Sequence, residues 1–350
     1  MTKNKHTAFT QLPVVDISAL CLDDPVQSLE VARALDKAAR EAGFLYLRGH
    51  GVPAPLIEQL KAVSRRYFSQ DVAVKMRDYI GRSSNHTGYV PQGEERFYSG
   101  AGEAQLSNDL KEGYDIGPET PSLMQRFVSD ASTVWPQDDE FKRVVGSYYQ
   151  AMLALSRTVF RGFAMALGIP EDNFTNHLTT PPSQLRLLHY FDYPDATESD
   201  CGIGAHTDYE FFTILLPTSP GLQVMNGAGC WIDVPVMEDG FVLNIGDMME
   251  LMTNGEYVAT SHRVQQVREE RYAFPFFSSL DYDTLVQPMP QFVGDENPSA
   301  YRPLICGDHL LAQTVQTFQY LKQRLARGEI SLPEKTLPLA SFGQAGSKSS

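Results

Sequence analysis

After Pro181-Pro182 the chain changes its period. Gln184 to Tyr190, Phe211 to Leu216, Gly221 to Met225, Cys230 to Val234, Gly240 to Asn244, Tyr257 to Val267 and Glu270 to Phe277 are strand-like runs parted by Gly, Pro or Asn turns. Seven or eight short strands in under 100 residues predict an antiparallel double sheet, a jelly roll.

What precedes this block reads mostly as helix. Between Asp138 and Leu167, Phe141, Val145, Tyr148, Met152, Leu155, Val159 and Phe163 fall three or four apart, and Gly168 follows as a left-handed cap. That stripe is core that braces the barrel. Nearer the start, Pro13 to Ile17 reads as a strand, and Asp23-Asp24-Pro25 caps a helix through about Glu41. Phe44 to Leu47 is a buried strand, and Pro53 opens a helix with Ile57, Leu60, Val63 and Phe68 on its apolar side. Asp78 to Gln137 is irregular, with strand character at Asn85–Pro91 and Asp109–Ile116, and long loops of this kind cover sites. Short helical turns are expected at Glu171–His177 and within Asn244–Thr253, and one final helix over Cys306–Ala326. The fold class expected is mainly β with packed helices: a double-stranded β-helix (jelly roll) core behind a helical N-terminal region.

With 350 residues and 42% hydrophobic content the chain can bury a large core, and no Gly/Ser or Pro-rich linker divides it. Residues 1–137, an α/β region with site-covering loops, and 138–350, the bracing helix, barrel and C-terminal helix, therefore read as one integrated catalytic unit. A net charge of -14 repels phosphate backbones, which excludes nucleic acid as the expected partner. Cys21, Cys201, Cys230 and Cys306 form no C-x-x-C pair, as expected of reduced thiols in the cytoplasm. No run of about 18 apolar residues is present to span a bilayer, so no membrane is expected either. The sequence leaves the oligomeric state open.

His206 and Asp208 lie two apart on an extended stretch and so can converge on one point. Chance alone supplies about one His-x-acid triplet in this composition, so the weight comes from His262 and Arg271 downstream. Two neutral imidazoles and a carboxylate on one face of a metal leave the other face open, the arrangement expected for non-haem Fe(II) that activates O₂. Arg271 sits among Tyr272, Phe274, Pro275, Phe276 and Phe277, where a guanidinium needs an anionic partner. That partner is either an internal acid, such as Asp233 or Asp247, or a bound carboxylate held through two parallel hydrogen bonds. His50, between two glycines at a turn, reads as structural, and His189 as facing away from Tyr190. Arg82, Arg96, Tyr89 and Tyr114 could reach a substrate, and Phe211, Leu222, Val224 and Phe277 are candidate apolar walls.

His206-x-Asp208, 53 intervening residues, His262, then Arg271-x-Ala273 is an order that resembles the iron(II)/2-oxoglutarate-dependent oxygenases, in particular their isopenicillin N synthase-like branch. Leu12–Ile17, Gly43–Val52, Asn244-Ile-Gly-Asp247 and Pro275-Phe-Phe277 extend the resemblance over nearly the whole chain. It implies Fe(II) on His206, Asp208 and His262, 2-oxoglutarate chelating the metal with its distal carboxylate on Arg271, and O₂ as oxidant. Tyr190 matches a tyrosine that contacts co-substrate or substrate. Most relatives carry Ser where this chain has Ala273, although some bacterial members share Arg-x-Ala. The implied reaction is oxidation of a C–H bond of a small organic substrate, with succinate and CO₂ released. Two alternatives stand beside it: an oxidase resembling isopenicillin N synthase, using O₂ without 2-oxoglutarate while Arg271 holds a substrate carboxylate, and a ligand-binding jelly roll with a structural metal.

Overall fold

Within each long strand the side chains sort by parity into two sets, and each set has its own partner layer. The computed structural model describes residues 7–22, 25–95, 111–119, 123–127, 133–191, 202–265 and 269–334. Its strands are β1 (Val14–Asp16), β2 (Phe44–Arg48), β3 (Gly88–Val90), β4 (Lys111–Ile116), β5 (Gln184–Tyr190), β6 (Ile203–His206), β7 (Phe212–Pro217), β8 (Leu222–Met225), β9 (Trp231–Asp233), β10 (Phe241–Ile245), β11 (His262–Val264) and β12 (Arg271–Ser278). A small ribbon of β13 (Leu285–Val286) and β14 (Leu304–Ile305) follows. One sheet has the order β1-β2-β10-β7-β12-β5-β4-β3, and a second, β6-β11-β8-β9.

The helices are α1 (Ser18–Cys21), α2 (Pro25–Glu41), α3 (Ala54–Phe68), α4 (Val72–Lys75), α5 (Asp139–Leu167), α6 (Asp172–Thr175), α7 (Asp247–Met252), α8 (Cys306–Thr317) and α9 (Gln319–Ala326). On the outer face of the large sheet, Leu45, Leu187, Ile214, Leu243, Phe274 and Phe276 join a core shared with Leu35 of α2, Val63 of α3 and the stripe of α5. The Asp138 carboxylate caps α5 by accepting from the Phe141 N–H at 3.0 Å, and Gly168 closes it at φ +67°. Truncating a buried ring of that stripe, as in Phe163→Ala, costs about 3–5 kcal/mol.

The opposite parity faces inward. Phe44, Tyr46 and Val242 meet Leu222 and Val224 of the small sheet, while Leu188, Tyr190 and Ala273 meet Ile203 and Val264. The two sheets thus close on each other as a jelly roll, with helices on the outside of one.

Three expectations are corrected. The final helix is two: Phe318 is extended (φ -88°, ψ 133°), bridges Glu95, and places its ring 4.5 Å from that of His86, so the chain breaks there to wall the barrel mouth. Of the strand expected over Tyr257–Val267, only His262–Val264 forms among the described residues, Gln266 and Val267 lying outside them, and Ile203–His206 forms a strand that its glycine-rich sequence did not announce. The Asp23-Asp24 cap lies outside the described residues. Among the described residues no helix is long and apolar enough to cross a membrane.

Candidate metal and co-substrate site

β6 ends where β11 begins: His206 and His262 are direct cross-strand partners, with ring centroids 4.3 Å apart. Asp208 follows on the turn into β7, and its Oδ1 lies 3.6 Å from Nε2 of each imidazole. One ligand atom from each of the three falls within 4.8 Å of the others. The hydrogen bonds around them select which atoms stay available. Nδ1–H of His206 donates to the Gly204 carbonyl at 2.8 Å and that of His262 to the Thr260 carbonyl at 3.1 Å, so both Nε2 lone pairs point inward. Asp208 Oδ2 accepts from Asn244 Nδ2 at 2.7 Å and from the Thr213 hydroxyl, which leaves Oδ1 for a cation.

Charge follows the same plan. Burial, then the facing His262, pushes His206 down to about 4, so it is neutral near pH 7. Burial pushes Asp208 up, but His262, His206 and the Asn244 and Thr213 bonds outweigh it and hold the carboxylate ionised. Behind Asp208 the chain is clamped. The Asp247 N–H donates to the Asp208 carbonyl at 2.8 Å, and the Thr207 hydroxyl to Asp247 Oδ1 at 2.8 Å. Gly246 must be glycine, since a Cβ there would lie 2.2 Å from the Glu210 carbonyl oxygen.

Arg271 opens β12 and is 1% exposed. Its Nε donates to the Ser219 carbonyl at 3.2 Å and its guanidinium lies 4.7 Å from the Tyr190 ring centre, but among the described residues Nη1 and Nη2 have no hydrogen-bond partner. Neither candidate internal acid reaches it: Asp233 accepts from Gln223 and Asp247 from Thr207. A buried fork with two orphaned N–H ends is costly until a carboxylate fills it. Ala273 shares its wall and adds no donor.

A cavity of about 100 Å³ joins these groups, several times what a single water needs, on the order of 10–15 Å³. Around Arg271 its walls are Tyr190, Leu188, Ile203, Leu222 and Val264. Toward the other end stand Phe277, Phe318, Glu95, Lys111, Arg186 and Glu210. Arg186 donates to Asp115 at 2.9 Å on both oxygens and to Glu95 at 2.6 Å, while Lys111 reaches the other oxygen of Glu95 at 2.7 Å. Burial and then the Asp208 charge push the Glu210 carboxyl up to about 8, as for an acid without a cation bound beside it.

Of the substrate-wall candidates, Leu222 and Phe277 line the cavity and two others do not. Tyr89 is buried outside it with its hydroxyl on Glu112, and Phe211 packs into the helical core against Phe160, 5.7 Å between ring centres. Val224 also lies in the core between the sheets, and Tyr114 bonds the Val134 carbonyl. Arg82 reaches the Arg77 carbonyl, and Arg96 lies outside the described residues. His50 accepts from the Val52 N–H, and His189 faces Glu112 and Glu270 on the far side of β5, as expected of both. The sequence reading missed Asn244, Thr213 and Glu210. A lone amide or hydroxyl inside an apolar strand was the available signal for the first two; for Glu210 nothing beyond its nearness to Asp208 marked it.

Comparison with known proteins bears on all of this. Residues 182–279 match the model of the 2OG-Fe(II) oxygenase superfamily, and residues 12–138 that of the non-haem dioxygenase in morphine synthesis N-terminal region. The chain is 32% identical to homoarginine-6-hydroxylase 2-ODD-C23 of Glycine max, covering 89% of this chain and 98% of that protein. It is 31% identical to clavatol oxidase claD of Penicillium crustosum, over 84% and 93%. Among solved structures, Neurospora crassa T7H in complex with alpha-KG and thymine superposes with a TM-score of 0.74 at 26% identity, covering 92% of this chain and 98% of that one.

Proposed function

Because this chain belongs to the iron(II)/2-oxoglutarate-dependent oxygenase superfamily, we propose that His206, Asp208 and His262 hold its iron and that Arg271 grips the distal carboxylate of 2-oxoglutarate. The protein is a non-haem Fe(II) oxygenase that oxidises a small organic substrate. Iron, when bound with 2-oxoglutarate and O₂, supplies the oxidising power, releasing succinate and CO₂ as a substrate C–H bond is oxidised. The chain's own residues bind and orient. The two Nδ1–H donors fix which nitrogen each imidazole presents, Asn244 and Thr213 fix the carboxylate, and Leu188, Ile203, Leu222 and Val264 keep water from the Arg271 end.

The observation that carries this reading is the orphaned fork of Arg271, aligned in one cavity with three converging ligand atoms. With Ala273 offering no hydroxyl, the grip falls to the guanidinium itself, with Tyr190 beneath it. We place the chain in the isopenicillin N synthase-like branch on its Leu12–Ile17 and Gly43–Val52 segments, which contribute β1 and β2 to the barrel. Residues 1–137 and 138–350 act as one unit in this reading, supported by β3 and β4 extending the same sheet as β5 and by Glu95 and Lys111 lining the cavity. A reducing, cytoplasmic setting is supported by the wide spacing of Cys21, Cys201, Cys230 and Cys306, which form no C-x-x-C pair. The test is succinate release from 2-oxoglutarate, dependent on Fe(II) and O₂: wild-type protein should produce it and Asp208→Ala should not. Wild-type-like turnover by metal-stripped Asp208→Ala overturns the assignment.

A further inference from the structure

We propose that Glu210 selects a substrate carrying a protonated amine or guanidinium, received at the end of the cavity opposite Arg271. This deepens the oxygenase reading and rests on it. The charges that line the cavity decide the matter. Arg271 is the unfilled cation of the co-substrate end. At the other end, Arg186 is committed to Asp115 and Glu95, and Lys111 to Glu95, through contacts of 2.6–2.9 Å. Glu210 remains. It lines the cavity, and among the described residues no side chain hydrogen-bonds or ion-pairs with it.

Its position is also fixed. The Glu210 carbonyl accepts from the Met248 N–H at 3.2 Å, and its oxygen lies so close to Gly246 that a Cβ would approach to 2.2 Å. Glu210 therefore lines the cavity from a turn, two residues beyond Asp208, whose backbone is held in place, and that costs little reorganisation on binding. Tyr209, Phe277 and Phe318 wall the same space, so a charge-assisted hydrogen bond there forms in apolar surroundings and is strong. An acidic substrate would have to draw Lys111 or Arg186 away from buried carboxylates, stranding Glu95 or Asp115. A neutral apolar one would cover the Glu210 side chain without offering it a hydrogen-bond partner. A cationic nitrogen does neither.

The experiment uses the anaerobic Fe(II) protein saturated with 2-oxoglutarate and titrates it calorimetrically with hexylamine, hexanamide and hexanoate, chains of equal length differing at one end. Hexylamine should bind at least about tenfold more tightly than the other two. That preference should vanish in Glu210→Gln and turn toward hexanoate in Glu210→Lys, with thermal melts showing that both variants fold. Equal binding of the three by wild type, tightest binding of hexanoate or hexanamide, no binding of hexylamine at millimolar concentration, or an amine preference that survives Glu210→Gln would each overturn the proposal. Failure of 2-oxoglutarate to bind the Fe(II) protein beforehand would instead strike the oxygenase reading, so the two failures are distinct.

Discussion

Two buried arginines line one cavity, and they live differently. Arg186, four residues and about 13 Å along β5 from the level of Arg271, spends its guanidinium on Asp115 and Glu95. Among the described residues Arg271 donates once, to the Ser219 carbonyl, and Nη1 and Nη2 find no partner. At the first end the ion pairs of Arg186 are complete within the chain, and they hold β4, β5 and the Glu95 segment together. The other end is left incomplete by the chain: among the described residues no acid reaches Nη1 or Nη2 of Arg271. What separates the two arginines is whether the chain supplies the partner.

The sharpest way to break this contrast lies at the metal. Asp208→Ala should cut iron-dependent succinate formation on the order of 1,000-fold or more while leaving the melting cooperative, because the triad belongs to the incomplete end. Loss of folding with loss of iron would place the triad in the structural network instead. Matched substitutions of the arginines come next. Arg186→Met strands Asp115, leaves Glu95 only Lys111, and should cost about 3–5 kcal/mol in denaturant melts. Arg271→Met strands no acid and should cost less than about 1 kcal/mol, yet raise the KM for 2-oxoglutarate. Similar destabilisation by both would erase the distinction.

A smaller effect is expected from the residue that aims Asp208. Asn244→Ala removes the 2.7 Å bond to Oδ2 and should weaken iron binding about 10–100-fold, measured by competition with a chelator. Smaller again, saturating 2-oxoglutarate with Fe(II) should stabilise wild type by roughly 2–3 kcal/mol at a hundredfold excess over Kd and leave Arg271→Met nearly unmoved.

How much of this was legible in the sequence follows from where the information sits. Strands β5, β7, β10 and β12 announced themselves by apolar runs, and α5 by its stripe, its Asp138 cap and Gly168. β6 was hidden because Ile203-Gly-Ala-His206 has too few side chains to show a period. The split of the last helix was hidden because its cause, the bridge from Phe318 to Glu95, spans more than 200 residues of chain. The triad and Arg271 were readable from order and type. The wall candidates were only half readable: Phe211 and Phe277 look alike as residues, and only the pleat puts one against α5 and the other in the cavity. The Arg186 network joins residues 71 and 91 positions apart, and Glu210 owes its place in the cavity to the turn after Asp208, so neither leaves a local mark.

The central claim, that the empty fork of Arg271 and the converging triad form one site, is tested most directly by anaerobic titration of the Fe(II) protein with 2-oxoglutarate, followed by the visible charge-transfer band of the chelate. Wild type should develop the band saturably with one equivalent of iron, and Arg271→Met should need at least about tenfold more 2-oxoglutarate for half-saturation. No band in wild type, or the same half-saturation in both proteins, would contradict it.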